Sequence, residues 1–138
     1  MKKTFLTILL VLGFSFVSFA QPATGAAKEA KKETIILKPT FEINDLIFAL
    51  QQLNSVEIVG QEVEAFLECK TLLTTTLKAE EEAKKKPTDK VTIDMNGIIA
   101  QNTLNFVSRT KFSGALAERY KSFADAIYKA AEPFKKKD

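Results

Sequence analysis

The chain reads as mainly α-helical: a small bundle of about four helices, arranged as two tandem strand–helix–helix units with two short β-strands. Three observations predict this. Apolar residues recur at spacings of three and four in four separate stretches, the period of a helix with one buried face. Short β-prone runs, Thr34–Leu37 and Val91–Ile93, stand ahead of those stretches. Finally, residues 38–78 and 86–132 say nearly the same thing. Each opens on Lys-Pro-Thr, at Lys38 and at Lys86, and continues with an alternating segment (Phe41-Glu42-Ile43; Val91-Thr92-Ile93). A small helix-capping residue follows (Asn44; Asp94), then an amphipathic stretch reaching Leu-Asn (Leu53-Asn54; Leu104-Asn105) and a second, more charged one. Aligning the two needs small insertions. Such a match is the mark of internal repetition.

The ends have their own logic. Lys2 and Lys3, the apolar run Thr4–Val17 and the small-residue pattern Ser18-Phe19-Ala20 form an N-terminal signal peptide over residues 1–20, cleaved after Ala20. The apolar run is shorter than the ~20 residues a spanning helix needs. Gln21 stands where a lipid-anchored protein would carry cysteine. Residues 21–33 are small and polar and read as a flexible linker. A single domain over 34–134 and a basic tail over 135–138 complete the chain. The 138 residues hold 20 basic and 17 acidic side chains. Both leader lysines leave with the leader, so 18 stand against 17 and the net charge is +1. That is no electrostatic footprint for nucleic acid.

Within the domain, Asn44 is the expected cap of a first helix carrying Leu46, Ile47, Leu50 and Leu53 and ending at Asn54-Ser55. Val56–Val59 reads as an extended connection or a last turn, with Gly60 as the boundary. A second helix presents Val63, Phe66, Leu67, Leu73 and Leu77. It closes on Glu80/Lys84, Glu81/Lys85 and Glu82/Lys86, three favourably ordered i,i+4 pairs before Pro87. Asn96-Gly97 leaves two readings open, a hairpin turn or a third helix capped at Asp94 or Asn96 and carrying Ile98, Ile99, Phe106 and Val107. The parallel with the first unit favours the helix. Ser108–Gly114 reads as a break. A last helix follows with Leu116, Tyr120, Phe123, Ile127, Ala130 and Phe134 on one seam, limited by Pro133. The two short strands, around Ile35–Leu37 and Val91–Ile93, are expected to pair under the helices.

The residues available for chemistry are few. The chain has no histidine and one cysteine. Histidine-based nucleophile arrangements are therefore excluded, and no ordinary zinc site can be built. Cys69 borders the apolar face of its helix and reads as buried, the alternative being a link between two chains. Ser108, Ser113 and Ser122 lie near lysines, which a lysine-rich chain produces by chance. Glu62, Glu64 and Glu68, and Glu80–Glu82, read as solvated helix faces rather than a paired-carboxylate site. Asp94-Met95-Asn96-Gly97 lacks the alternating acids and closing glutamate of a calcium loop. No glycine-rich phosphate loop exists among the five glycines. No catalytic, cofactor-binding or metal-ligating residue is assigned, no cofactor is expected, and no small-molecule ligand is evident. Tyr128, turned off its helix seam, carries a hint of an interface; Tyr120 lies on the seam.

Lys90-Val91-Thr92-Ile93 resembles the opening strand of the small periplasmic chaperones of the Skp type. Those have long uninterrupted helices, whereas this chain breaks about every 20 residues, and no residue role is carried over. The reading that results is a secreted or periplasmic, non-enzymatic helical interaction or assembly module that binds a protein partner or itself. The alternative is a periplasmic chaperone or adaptor that holds apolar segments of client proteins. Intact-mass analysis of the exported protein is expected to place its N-terminus at Gln21; exported material that retains Lys2 and Lys3 would rule the cleaved leader out.

Overall fold

The computed structural model describes residues 34–135. The leader (1–20), the linker (21–33) and the end of the basic tail (136–138) lie outside the described residues. The described chain is mainly helical, with four α-helices and two short two-stranded antiparallel sheets. In order come β1 (Ile36–Leu37), β2 (Thr40–Glu42), α1 (Ile43–Ser55), α2 (Val63–Glu82), β3 (Lys90–Thr92), β4 (Met95–Asn96), α3 (Gly97–Ser108) and α4 (Ala117–Ala131). Single 3-10 turns, Gly60–Glu62 and Gly114–Leu116, lead into α2 and α4.

The strands form a ribbon with one register. β1 pairs with β4 (Ile36 opposite Asn96, Leu37 opposite Met95) and β2 with β3 (Thr40 opposite Thr92, Phe41 opposite Val91, Glu42 opposite Lys90). Between them the Ile93 amide donates to the Pro39 carbonyl at 3.1 Å, in the same register. Proline has no N–H to return that bond, so the ladder is interrupted there without slipping. Strand alternation then sorts the side chains. Leu37, Pro39, Phe41, Val91, Ile93 and Met95 are buried. On the outer face Lys38 meets Asp94 at 3.5 Å, the hydroxyls of Thr40 and Thr92 lie 2.8 Å apart, and Glu42 stands opposite Lys90. The two expected strands therefore do not pair with each other: Leu37 lies opposite Met95 and Val91 opposite Phe41, because the arm continues through Pro39 to Glu42.

The two halves pass through the same order of elements. Ile36 and Lys90, Ile43 and Gly97, Gly60 and Gly114, and Val63 and Ala117 begin corresponding elements, each pair 54 positions apart. The Lys-Pro-Thr triplets do not correspond in this way. Lys38–Thr40 is in the strand arm, whereas Lys86–Thr88 is in the connection after α2. The ribbon is symmetric under the correspondence, which exchanges the Ile36–Asn96 and Glu42–Lys90 pairs and leaves Pro39 opposite Ile93 at its centre.

Helix ends explain several departures from expectation. α1 begins at Ile43 with Glu42, not Asn44, at its cap. The free amides of Ile43 and Asn44 donate to the carbonyls of Asp89 (3.1 Å) and Pro87 (2.9 Å), so the chain itself satisfies the first turn. α2 ends at Glu82, and Lys84 adopts a left-handed φ of 55°. The Lys84 amide returns to the Glu81 carbonyl (2.9 Å) and the Lys85 amide to that of Glu80 (3.1 Å), the reciprocal bonds of a Schellman close. With the helix over before Lys86, the three i,i+4 pairs do not form; Glu80 pairs with Lys85 instead. Asn96 caps α3, its side chain accepting from the Ile98 amide at 2.8 Å, so Asn96-Gly97 opens a helix rather than a hairpin. Val56–Val59 is an extended connection, and Ser108 ends α3 at the expected break.

α1 packs on α4, α2 on α3, and α1 on α2. Leu46, Leu53, Leu73, Phe106, Phe123 and Ile127 are buried as expected, and Leu50, Phe66, Leu77, Ile99, Leu116 and Tyr120 pack against them half-buried. Phe123 stacks on Phe41 with ring centroids 5.0 Å apart. Cys69 occupies the corresponding place on α2, fully buried, and its thiol donates to the Ile99 carbonyl at 3.6 Å. Burial raises the pKa of that thiol and leaves it a small apolar side chain. Val63, Leu67 and Ile47, expected in the core, are exposed instead. α2 turns Cys69 and Leu73 inward, and Val63 and Leu67 lie off that line.

One acid is buried outright. Asp45, 1% exposed, accepts from Ser122 Oγ at 2.6 Å and pairs with Arg119 at 3.1 Å, which ties the first turn of α1 to α4. Arg119 also reaches Glu42 at 3.4 Å, and its pKa is raised first by its hydrogen bond to Asp45. Denaturant unfolding is expected to separate two positions that look alike in sequence. Phe123→Ala should cost about 3–5 kcal/mol, as for other buried aromatic truncations, whereas Leu67→Ala should cost under about 0.5 kcal/mol.

Candidate functional site

Three concavities bear on function. The first is polar and lies between the two helix connections, lined by Ser55, Val56, Glu57, Arg109, Thr110 and Lys111. Its lining pairs positions of the two halves that correspond, so it sits on the symmetry of the fold. Arg109, its most distinctive cation, is already committed. It binds Glu62 Oε1 at 2.6 Å and the Glu57 carbonyl at 2.6 Å, and lies 5.7 Å from the centroid of the Phe106 ring. Glu62 in turn accepts from the Val59 amide at 3.1 Å. The Thr110 hydroxyl lies within hydrogen-bond distance of both the Val107 carbonyl (2.8 Å) and Gln52 Oε1 (2.9 Å), with one proton to share between them. These bonds lock the α1–α2 connection onto the end of α3. The recess is a structural joint.

The second is a polar recess lined by Lys38, Pro39, Thr40, Lys90, Ala126, Lys129 and Ala130. Lys38 is held by Asp94, and Lys90 lies opposite Glu42. What is left is one lysine over a helix surface.

The third is an apolar groove of about 350 Å³ between the strand arm, α3 and α4. Its floor is core: Leu37, Ala100, Leu104 and Ile127, all buried. Its rim is exposed aromatic and aliphatic surface: Ile35, Tyr128 at 52% and Phe134 at 51% exposed. Lys135 is the one charged residue in the lining.

The reason for the groove is legible in the correspondence of the halves. Gly97, Ala100 and Ala131 stand where Ile43, Leu46 and Leu77 stand in the first half. α1 packs closely along α2, but the shorter side chains leave α3 meeting α4 over only a short stretch. The first half has a concavity at the same place, of about 380 Å³, but Ile43 and Leu77 form its wall and Glu80, Glu81 and Lys85 its rim. In the second half four buried residues, Leu37, Ala100, Leu104 and Ile127, line the hollow, against Ile43 in the first.

The residues singled out from sequence fall as follows. Tyr128 lines the groove; Tyr120 is half-buried against Phe112, ring centroids 5.3 Å apart. Ser108 donates to the Asn105 carbonyl and Ser122 to Asp45, so neither hydroxyl is held by a lysine. Glu62 serves the joint, whereas Glu64 and Glu68 lie beside Leu67 on the outer face of α2. Asp94 binds Lys38. Among the described residues no group of three His, Cys, Asp or Glu side chains is placed to hold a metal ion. Likewise among them, no helix is long and apolar enough to cross a membrane. Leu37, Ala100 and Leu104 were not expected at a site. A gap of three small residues where the other half has aliphatic ones is the signal that finds them, once the halves are aligned without insertions.

Comparison with protein-family models, with curated proteins and with solved structures finds no match to the chain. The groove's own chemistry is what bears on function.

The joint makes a pH prediction. The Val59 amide, then the Arg109 guanidinium, hold the Glu62 carboxyl below its ordinary 4.5. A depressed folded pKa gives stability that is present above the unfolded value and lost as pH falls through the folded one. The stability difference between the protein and Glu62→Gln should therefore be largest at neutral pH and shrink towards zero at acid pH. Parallel stability curves across that range would show that the joint carries no charge-dependent stability.

Proposed function

We propose that the protein is a secreted or periplasmic interaction module, without catalytic activity, that seats an apolar segment of a protein partner in the groove between α3 and α4. The observation that carries this reading is the groove itself: a floor of buried aliphatic side chains under an exposed rim of Tyr128, Phe134 and Ile35. Leaving such surface in water forgoes about 25 cal/mol per Å² that burial would return, which supports a partner seated there. Aromatic side chains with one polar end, as at Tyr128, suit a surface that is wet when free and dry when bound. The absence of histidine from the sequence and the burial of Cys69 support a non-enzymatic role. The leader-like N-terminus supports export.

A chaperone that holds unfolded clients is the second reading, supported by the same exposed apolar rim. The two differ in selectivity. A photo-crosslinking residue placed at Tyr128 or at Gln101 in the groove, with Lys111 at the polar joint as control, separates them in the envelope fraction. One dominant product from the groove positions, and none from Lys111, is the expected result. A broad spread of products that grows under unfolding stress would transfer the reading to the chaperone. Equal labelling from all three positions would remove the groove from function.

A further inference from the structure

The second apolar surface of the molecule lies on the other side of α3. Val63 and Leu67, one turn apart on α2, are 40% and 52% exposed, and Ile98 at the start of α3 is 67% exposed. A shallow face there is lined by Glu64, Leu67, Glu68, Thr71, Leu72, Thr75 and Ile99. Its only charged residues are the two glutamates. Nothing in the fold needs these aliphatic side chains outside. α2 is anchored by Cys69 and Leu73, and Phe66 already makes an edge contact with Phe106 at 5.6 Å.

The two surfaces are complementary in chemistry. Among the described residues the groove is an apolar hollow whose single lining charge is positive, Lys135; on the outer side of α2 the exposed Leu67 stands between two negative side chains, Glu64 and Glu68. Relative to its counterpart in the first half, the groove has Gly97, Ala100 and Ala131 where Ile43, Leu46 and Leu77 stand. The outer side of α2 offers two exposed aliphatic side chains, Val63 and Leu67, at helical spacing. α3 stands between groove and ridge, lining the one with Gly97, Gln101 and Leu104 and the other with Ile99, so the two surfaces do not compete for the same space.

We infer that the groove's partner is a second copy of this chain, which inserts the Val63–Leu67 ridge of its α2. This rests on the reading of the groove as a protein-binding site and names its occupant. The contact is heterologous: a groove on one copy takes a ridge on the next, so an open assembly leaves one unused groove at one end and one unused ridge at the other. Such contacts close into rings or extend into filaments according to the rotation between copies. Opposite lining charges orient the approach and weaken with salt.

The test uses the exported chain in sedimentation velocity over a wide concentration range, with one variant of the ridge and two of the groove. Leu67→Glu puts a charge on the ridge at an exposed position. Tyr128→Glu does the same on the rim of the groove, and Ala131→Trp fills the groove as a second way of closing it. Expected are a mass that rises with concentration for the native protein and falls with added salt, and weakening of about tenfold or more for each variant alone, about 1.4 kcal/mol per tenfold. The decisive sample is the mixture. Leu67→Glu retains a groove and Tyr128→Glu retains a ridge, so together they should form a one-to-one complex that grows no further.

A native protein that stays monomeric at all concentrations overturns the inference, and so does association that neither variant weakens, or variants that fail to complement each other in the mixture. If the native chain stays monomeric while crosslinking from Tyr128 still captures one other polypeptide, self-recognition is wrong and the groove reading stands. If Tyr128 captures nothing, both fall.

Discussion

The fold depends on the strand ribbon that joins Ile36–Glu42 to Lys90–Asn96. Each strand alone is two or three residues long, and a two-stranded pair of that size is marginal in water. What sustains it is one unbroken register. Leu37, Phe41, Val91, Ile93 and Met95 all face inward together, and a slip of one residue would turn every one of them to solvent. The ribbon also draws together residues from 48 (Glu42 and Lys90) to 60 (Ile36 and Asn96) positions apart, so the helices of both halves are positioned by it. α1 leaves directly from β2 and α3 directly from β4. Phe123 closes the α4 side by stacking on Phe41.

How much of this was legible in the sequence depends on period and context. Helices with a clean 3.6-residue pattern, such as α4, were readable almost to their ends, because Phe123 and Ile127 are buried on one face; Phe134, read on the same seam, lies beyond the helix and is exposed. The ribbon was not, since Pro39 splits an alternating run into pieces too short to recognise, and its carbonyl rather than its amide carries the register across. Asn44 looked like a cap because nothing local shows that Pro87 and Asp89 supply acceptors from far along the chain. Val63 and Leu67 looked like core because hydrophobicity identifies candidates for burial without saying which face has a neighbour. Asp45 is the converse. A buried carboxylate is readable only with Ser122 and Arg119 in view, more than seventy residues away.

The groove was legible in principle and hidden by alignment. Anchoring the halves on Lys-Pro-Thr sets Lys86 against Lys38 and forces insertions. Anchoring them on the elements needs none, and then the substitutions are plain: Gly97 for Ile43, Ala100 for Leu46, Ala131 for Leu77. Three aliphatic side chains shortened at one helix–helix contact remove packing that, in comparable cores, is worth about 2–5 kcal/mol per position. A domain of this size has little stability to spare.

The two halves thus divide the work of a small fold. The α1–α2 half keeps its aliphatic wall, and Asp45 bonds it to Arg119 and Ser122 of α4. The α3–α4 half gives up contact and leaves its floor of Leu37, Leu104 and Ile127 open. Gly97 shows that the opening is not forced by the backbone. A Cβ there would meet the Ile35 carbonyl oxygen at 3.6 Å, an ordinary contact, and the residue does not adopt a positive φ. Neither turn chemistry nor close approach demands glycine at this position. What its lack of a side chain does is leave Ile35 and Gln101 as lining residues of an open groove.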